Sequence, residues 1–199
     1  MAEEKTTLVS TFYSVAPFMP AAHAYSPTKM ILIVDNLNDE VKENIEHIKK
    51  TFSNVAQIEV VKMDRGDIYA DAKRTIELLD REHKENARII VNISGGWKLL
   101  AQAVLYGCYA RPDFVNKIVC NNLGNNDLIE LPLFVYGLTT PKRSLMEEIQ
   151  NRNGKTIPEI AEKLKRTKGM IYLHLRELKK QGYIDDQFKI TIAGKLALM

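Results

Sequence analysis

The chain has 199 residues, 45% hydrophobic and 27% charged, which suits a globular chain with a real core: one large domain, or a medium one with a small one attached. Its start, MAEEK, is acidic, no apolar stretch of signal-peptide length follows, and no run approaches the roughly 18 apolar residues of a membrane span, so a cytoplasmic protein without a membrane partner is expected. The net charge of +3 is unevenly spread: residues 1–140 carry 15 Lys/Arg against 18 Asp/Glu, and residues 141–199 carry 13 against 7, which suits either a polyanion partner for the C-terminal part or a merely solvated basic face.

In chain order, TTLVST reads as a strand and SVAPFMPAAHAY as a helix with Ser14 near its cap, Pro17 in its first turn and a kink at Pro20. KMILIV is a second strand. Asp39 to Phe52 is a helix with Val41, Ile45 and Ile48 on one face. QIEVV is a third strand, and Asp67 to His83 a helix with Ile68, Ala72, Ile76 and Leu79 inward. ARIIVNI is a fourth strand, Trp97 to Arg111 its helix, and KIVCN a fifth. NLGNND is a turn, and LIELPLF an edge strand because Pro132 cannot donate to a ladder. Strand–helix alternation with continuously apolar central strands predicts an α/β, Rossmann-like domain over residues 1–140, its parallel sheet flanked by helices on both faces.

GLTTPKRS then punctuates the chain, and residues 141–199 change character. SLMEEIQNR and TIPEIAEKL read as two helices, the second with Thr156 as cap, Pro158 in its first turn and Glu159 completing a capping box. TKGMIYLHLRELKKQG is a third helix, stopped by Gly182. YIDDQFKITI reads as two short strands, and AGKLALM as a helical end. This order predicts a small winged helix-turn-helix domain, similar to regulators of the MarR and ArsR kind. Ile171, Leu175 and Leu178 would pack on Ile160 and Leu164, leaving Lys165, Arg166, Thr167, Lys168, Tyr172, Arg176 and, on the wing, Lys189 to meet double-stranded DNA. Gly169 is unfavourable inside such a helix. The alternative is a winged helix that mediates only protein contacts.

In the first domain, a strand order of 3-2-1-4-5 would place the ligand crevice between strands one and four. The loops leaving them are Ser10 to Ser14, with Ser10, Thr11, Phe12 and Ser14 as candidate ligand contacts, and Asn92 to Lys98. Ser94 can cap the following helix, so that Gly95, Gly96 and Trp97 offer backbone N–H groups to an anion beside Lys98. The glycines would let a phosphate reach those amides, although a tight turn with no ligand also uses them. The segment is neither a dinucleotide GxGxxG nor a phosphate-loop GxxxxGK[ST]. Cys108 and Cys120 lack CxxC spacing and read as small hydrophobes. His23, His47, His83 and His174 are scattered, so no metal site, catalytic set or cofactor is expected.

A Rossmann-like domain with N-x-[ST]-G-G-x-[KR] after its fourth strand, here Asn92, Ser94, Gly95, Gly96 and Lys98, joined to a winged helix, resembles the CRISPR-associated Rossmann fold (CARF) transcription regulators of archaea. The resemblance covers nearly the whole chain. It implies a homodimer that binds a cyclic oligoadenylate, often the tetra-adenylate, across a two-fold axis, with paired winged helices on a palindromic DNA site. Trp97 departs from the family, which more often has a smaller residue or Met there; it would either stack on an adenine or pack under the helix. Some relatives cleave the ring, so a ring nuclease is the alternative, and a regulator sensing another nucleotide is a third reading.

Overall fold

In the computed structural model, the described residues are 5–64, 66–85, 87–122, 127–133, 138–151 and 156–198. The chain divides into two units, Met1–Leu131 and Pro132–Met199.

The first unit alternates β1 (Thr6–Thr11), α1 (Val15–Tyr25), β2 (Lys29–Val34), α2 (Asp39–Phe52), β3 (Gln57–Lys62), α3 (Ile68–Lys84), β4 (Arg88–Asn92), α4 (Lys98–Ala110), β5 (Lys117–Asn121) and β6 (Leu128–Leu131). The sheet order is β3-β2-β1-β4-β5-β6, parallel from β3 to β5, with β6 antiparallel on β5 and ending before Pro132. Much of the expected turn at residues 122–127, and the end of LIELPLF, lie outside the described residues.

Strands β1, β2 and β4 are buried on both faces because helices cover both. On one face, Phe18, Ala21 and Ala22 of α1 and Val41, Ile45 and Ile48 of α2 close over Leu8, Met30, Leu32, Ile90 and Val119. Helix α1 continues through Pro20, which lies within the helix. On the other face lie α3 and α4, packed against each other. Helix α4 begins at Lys98, one residue later than expected. Cys108 is buried there, and burial pushes its thiol up to about 12; Cys120 on β5 is half-buried.

Helix α3 turns a different face inward from the one its apolar spacing predicts. The buried residues are Asp71, Thr75, Leu78, Leu79 and Glu82, while Ile68, Ala72 and Ile76 are only half-buried. The polar members are satisfied internally, which apolar periodicity cannot register. The Thr75 hydroxyl donates to the Asp71 carbonyl at 2.9 Å. The Glu82 carboxylate, fully buried, accepts from Lys29 at 2.7 Å, Arg81 at 3.0 Å and the Thr7 hydroxyl at 3.1 Å. Arg81 reaches on to Glu59 of β3 at 2.8 Å. One side chain thereby ties α3 to the amino ends of β1 and β2.

The second unit comprises α5 (Thr140–Gln150), α6 (Ile157–Lys163), α7 (Lys168–Lys180) and α8 (Ile192–Leu198). Helix α5 begins at Thr140, four residues before the expected start, because Pro141 occupies its first turn, where a missing N–H costs nothing. Gly137 and Arg152 lie outside the described residues. The core gathers Leu145, Met146, Ile149, Ile157, Ile160, Ile171, Leu175, Leu178 and Tyr183, with Leu164 against it. The two expected wing strands reduce to one antiparallel bridge, Ile184 to Ile190. Between them the Asp185 carboxylate accepts the N–H groups of Gln187 and Lys189 at 2.9 and 2.8 Å, a side-chain-organised turn that leaves little chain for a ladder.

Burial alone would raise Glu82, but the bonds from Lys29, Arg81 and Thr7 prevail and hold it below the usual carboxylate range. A lowered folded value means its stabilisation is complete above the unfolded value, about 4.3, and is lost as pH falls through the folded one. Burial raises Asp71, which acts in the opposite sense. In Glu82→Gln, stability at pH 7 should drop by roughly 2 kcal/mol, and the loss of stability below about pH 4.5 should become shallower than in the parent chain. Urea melts from pH 3 to 7 test both effects.

Candidate functional site

At the sheet's switch point, β1 and β4 run side by side, Ser10 opposite Asn92, and their following loops meet at the carboxyl edge. All ten candidate ligand residues gather there, but they divide into two sets. Ser10, Thr11, Phe12 and Asn92 have buried side chains. Phe12 lies in the core, edge-on to Phe18 with ring centroids 5.6 Å apart. Asn92 donates to the Ser10 hydroxyl at 3.1 Å and to the Pro17 carbonyl at 3.3 Å, and accepts the Ser94 N–H at 3.1 Å. These side chains build the edge and do not project from it. Gly96, Trp97 and Lys98 are exposed, and Ser14 and Ser94 half-buried.

Ser94 does not cap α4; the cap position belongs to Trp97, three residues later. The Ser94 hydroxyl instead donates to the Asn92 side-chain oxygen and accepts the Asn121 N–H at 2.8 Å, joining β4 to β5. The adjacent amide oxygen of Asn92 is a better-placed acceptor than a helix start one turn away. Trp97 keeps 40% of its surface in solvent and is not packed away under the helix.

The glycines have reasons within the fold. A Cβ on Gly95 would lie 2.5 Å from the Thr11 carbonyl oxygen, so this loop rests directly on the end of β1. Gly96 has φ +74°, a left-handed conformation that side chains disfavour. Neither requires a phosphate, and together they bring the start of α4 against β1.

What the edge offers a ligand is backbone. Helices α2 and α3 begin with side-chain caps, Asn38 and Asp67. Among the described residues α1 and α4, the two helices that start at the switch point, have no such cap, and neither has an acidic residue in its first turn. Neither start is closed by the side chain of its cap residue, and Lys98, in no ion pair among the described residues, adds a charge beside the positive end of α4. Tyr13, not singled out from the sequence, is 38% exposed and donates to Glu40 at 2.6 Å; that bond and the Glu40 charge raise its phenol. Asn121, at the carboxyl end of β5, also escaped notice, although the rule that ligands sit at strand carboxyl ends reaches it.

In the second unit, α6 and α7 form the helix-turn-helix. The Glu159 carboxylate accepts the N–H and hydroxyl of Thr156, and the Thr167 hydroxyl accepts the Met170 N–H at 3.3 Å, so Thr167 serves as the cap of α7. Lys165 turns the chain with φ +50°. Lys165, Arg166, Thr167, Lys168, Tyr172, Arg176 and Lys189 are all exposed, and Tyr172 and Arg176 lie one turn apart on α7. Nothing lies within 4 Å of where a Gly169 Cβ would stand.

Among the described residues, no three His, Cys, Asp or Glu side chains come together as metal ligands, and no helix is long and apolar enough to cross a membrane. Residues 138–185 match the family described as winged helix-turn-helix DNA-binding. No curated protein matches the chain in sequence. Among solved structures, Csm6 from Enterococcus italicus, bound to cyclic hexa-2'-fluoro-hexa-dAMP, is 12% identical with TM-score 0.57 over 89% of this chain and 55% of that one. Can2 from Sulfobacillus thermosulfidooxidans, in complex with cyclic tetra-adenylate, is 17% identical with TM-score 0.47 over 94% and 61%. A type III CRISPR defence DNA nuclease activated by cyclic oligoadenylate is 11% identical with TM-score 0.48 over 91% and 31%. The chain thus spans little more than half of the first structure's length. The fold is a Rossmann-like α/β domain followed by a winged helix-turn-helix.

Because Gly95 is held by the Thr11 backbone, Gly95→Ala should destabilise the ligand-free protein by about 2 kcal/mol. Denaturant melts without nucleotide would show it; an unchanged midpoint would mean the loop stands clear of β1.

Proposed function

We propose that the chain is a homodimeric, ligand-responsive transcription regulator associated with CRISPR-Cas, sensing a cyclic oligoadenylate, cyclic tetra-adenylate first among them, at the carboxyl edge of its first unit and binding double-stranded DNA through its second. The observation that carries the sensing half is the pair of uncapped helix starts, α1 and α4, beside Lys98. Free amides at a positive helix end bind phosphate, and a nucleotide ring presents phosphates at regular spacing. Trp97 and Tyr13, exposed at the same edge, supply faces on which a base can stack.

Helix α4 supports the dimer. Its outward side carries Ala101, Leu105, Tyr106 and Tyr109 with Gln102 as the polar exception, and Tyr106 is 51% exposed. A helix apolar on nearly every side favours a further partner. A second copy of the chain would pair two carboxyl edges about a two-fold axis, matching a ring of the same symmetry. The ligand then acts by binding one dimer arrangement more tightly than another.

For DNA, the winged-helix match and the exposed cations carry the reading. The start of α7 would enter the major groove, with Tyr172 and Arg176 toward base edges. Lys165, Arg166, Lys168 and Lys189 would hold phosphates.

Calorimetry with cyclic tetra-adenylate should show one ring per two chains, with Lys98→Ala weakening binding roughly tenfold, about 1.4 kcal/mol. Absence of binding would sink the sensor reading, and loss of the ring over hours would replace it with a nuclease. In electrophoretic shifts on promoter DNA, Lys168→Ala should lower affinity uniformly across sequences and reduce the salt slope by about one. Retained affinity in that variant would place the DNA elsewhere.

A further inference from the structure

We propose that α7 selects thymine in duplex DNA by its C5 methyl group, with Leu173 making the contact and Gly169 letting the helix backbone come close to the base edges. The inference rests on the DNA-binding reading of the second unit and adds to it what the helix reads.

The buried side chains of α7, Ile171, Leu175 and Leu178, fix which side of the helix faces the core. At about 3.6 residues per turn, Leu173 lies opposite them, with Gly169 one turn before it, Arg176 one turn after it and Met170 on its flank. Leu173 is 44% exposed and Met170 41%. The fold gives no reason for Gly169. It lies within the helix, its φ is not positive, and nothing stands within 4 Å of where its Cβ would be. Alanine would fit there and serve the helix better. A glycine that weakens its helix and relieves no internal clash keeps room for something outside the chain.

The charges around this apolar strip favour duplex DNA as its occupant. Lys165, Arg166, Lys168, Arg176, Lys180 and Lys189 are exposed, and none of them forms an ion pair among the described residues. The one carboxylate of α7, Glu177, is held aside by Lys142 at 3.2 Å. Unpaired cations on every side of a strip suit a phosphate backbone. Within the major groove between the phosphates, the base edges present hydrogen-bonding atoms and one apolar group, the thymine C5 methyl. Leu173 can pair with none of the former, and pressing it on an amine or a carbonyl would leave that group unmet. Thymine therefore gives it a favourable contact that the other bases do not. Gly169 lets the first turn of α7 sink far enough for that contact to form.

The test selects duplexes with the full chain, in the presence and absence of cyclic tetra-adenylate, from a random pool of about 30 base pairs, room for two half-sites. The selected duplex is then remade with deoxyuridine for thymine, which removes the methyl groups and nothing else. The parent chain should enrich thymine within each half-site and bind the deoxyuridine duplex roughly fourfold more weakly for each methyl lost from the contact. Leu173→Ala should bind the two duplexes alike. Gly169→Ala should melt at a higher temperature than the parent and yet lose roughly fivefold or more in affinity for the thymine duplex. Equal binding of both duplexes by the parent, or undiminished binding by Gly169→Ala, would overturn the proposal; if that binding still depends on Lys168, the DNA-binding reading stands without it. Self-association of the parent in sedimentation, abolished by Leu173→Ala, would overturn it in favour of a protein contact. If no duplex is enriched, the DNA-binding reading fails, and the thymine assignment fails with it.

Discussion

The amide of Asn92 is the interaction on which the candidate site depends. Fully buried, it bonds the Ser10 hydroxyl of β1, the Pro17 carbonyl of α1 and both the N–H and hydroxyl of Ser94. Ser94 passes the connection to the Asn121 N–H of β5. Three strand ends, one helix start and the loop into α4 are thus held through one amide and one hydroxyl. A satisfied buried network of this kind specifies geometry as well as stability. The starts of α1 and α4, which lack side-chain caps, are therefore held in a fixed frame.

Most of the fold was legible because each element carries its own signal. Five apolar strands separated by helical periods led to a parallel sheet, and the order 3-2-1-4-5 stands, with β6 added at the edge. Misreadings arose where polar side chains act inside the protein. Asp71, Thr75 and Glu82 face inward on α3, a surface that apolar spacing cannot reveal. The wing shortened to a bridge because Asp185 organises the turn with its own carboxylate.

The site was legible as a place more than as a set of contacts. The residues of the two loops do converge, but Ser10, Thr11, Phe12 and Asn92 serve as its foundation. The glycines that drew attention answer first to the backbone of Thr11 and to a left-handed turn. Asn121 lay hidden in KIVCN because an asparagine ending a strand is unremarkable in sequence. Only its buried amide, without a hydrogen-bond partner among the described residues, distinguishes it, and that is visible only in three dimensions.

The two cysteines differ in a way that makes the chain its own reporter. Cys108, buried in α4 with its thiol near 12, presents almost no thiolate at neutral pH and is closed to alkylating reagents. Cys120 is half-buried and immediately precedes Asn121 on β5. A maleimide or thiol-exchange dye applied to the unmodified protein would therefore mark one position, a single residue from the edge where the strands end. The alkylation rate at that sulfur would register how often this corner opens, with no engineered label to disturb it.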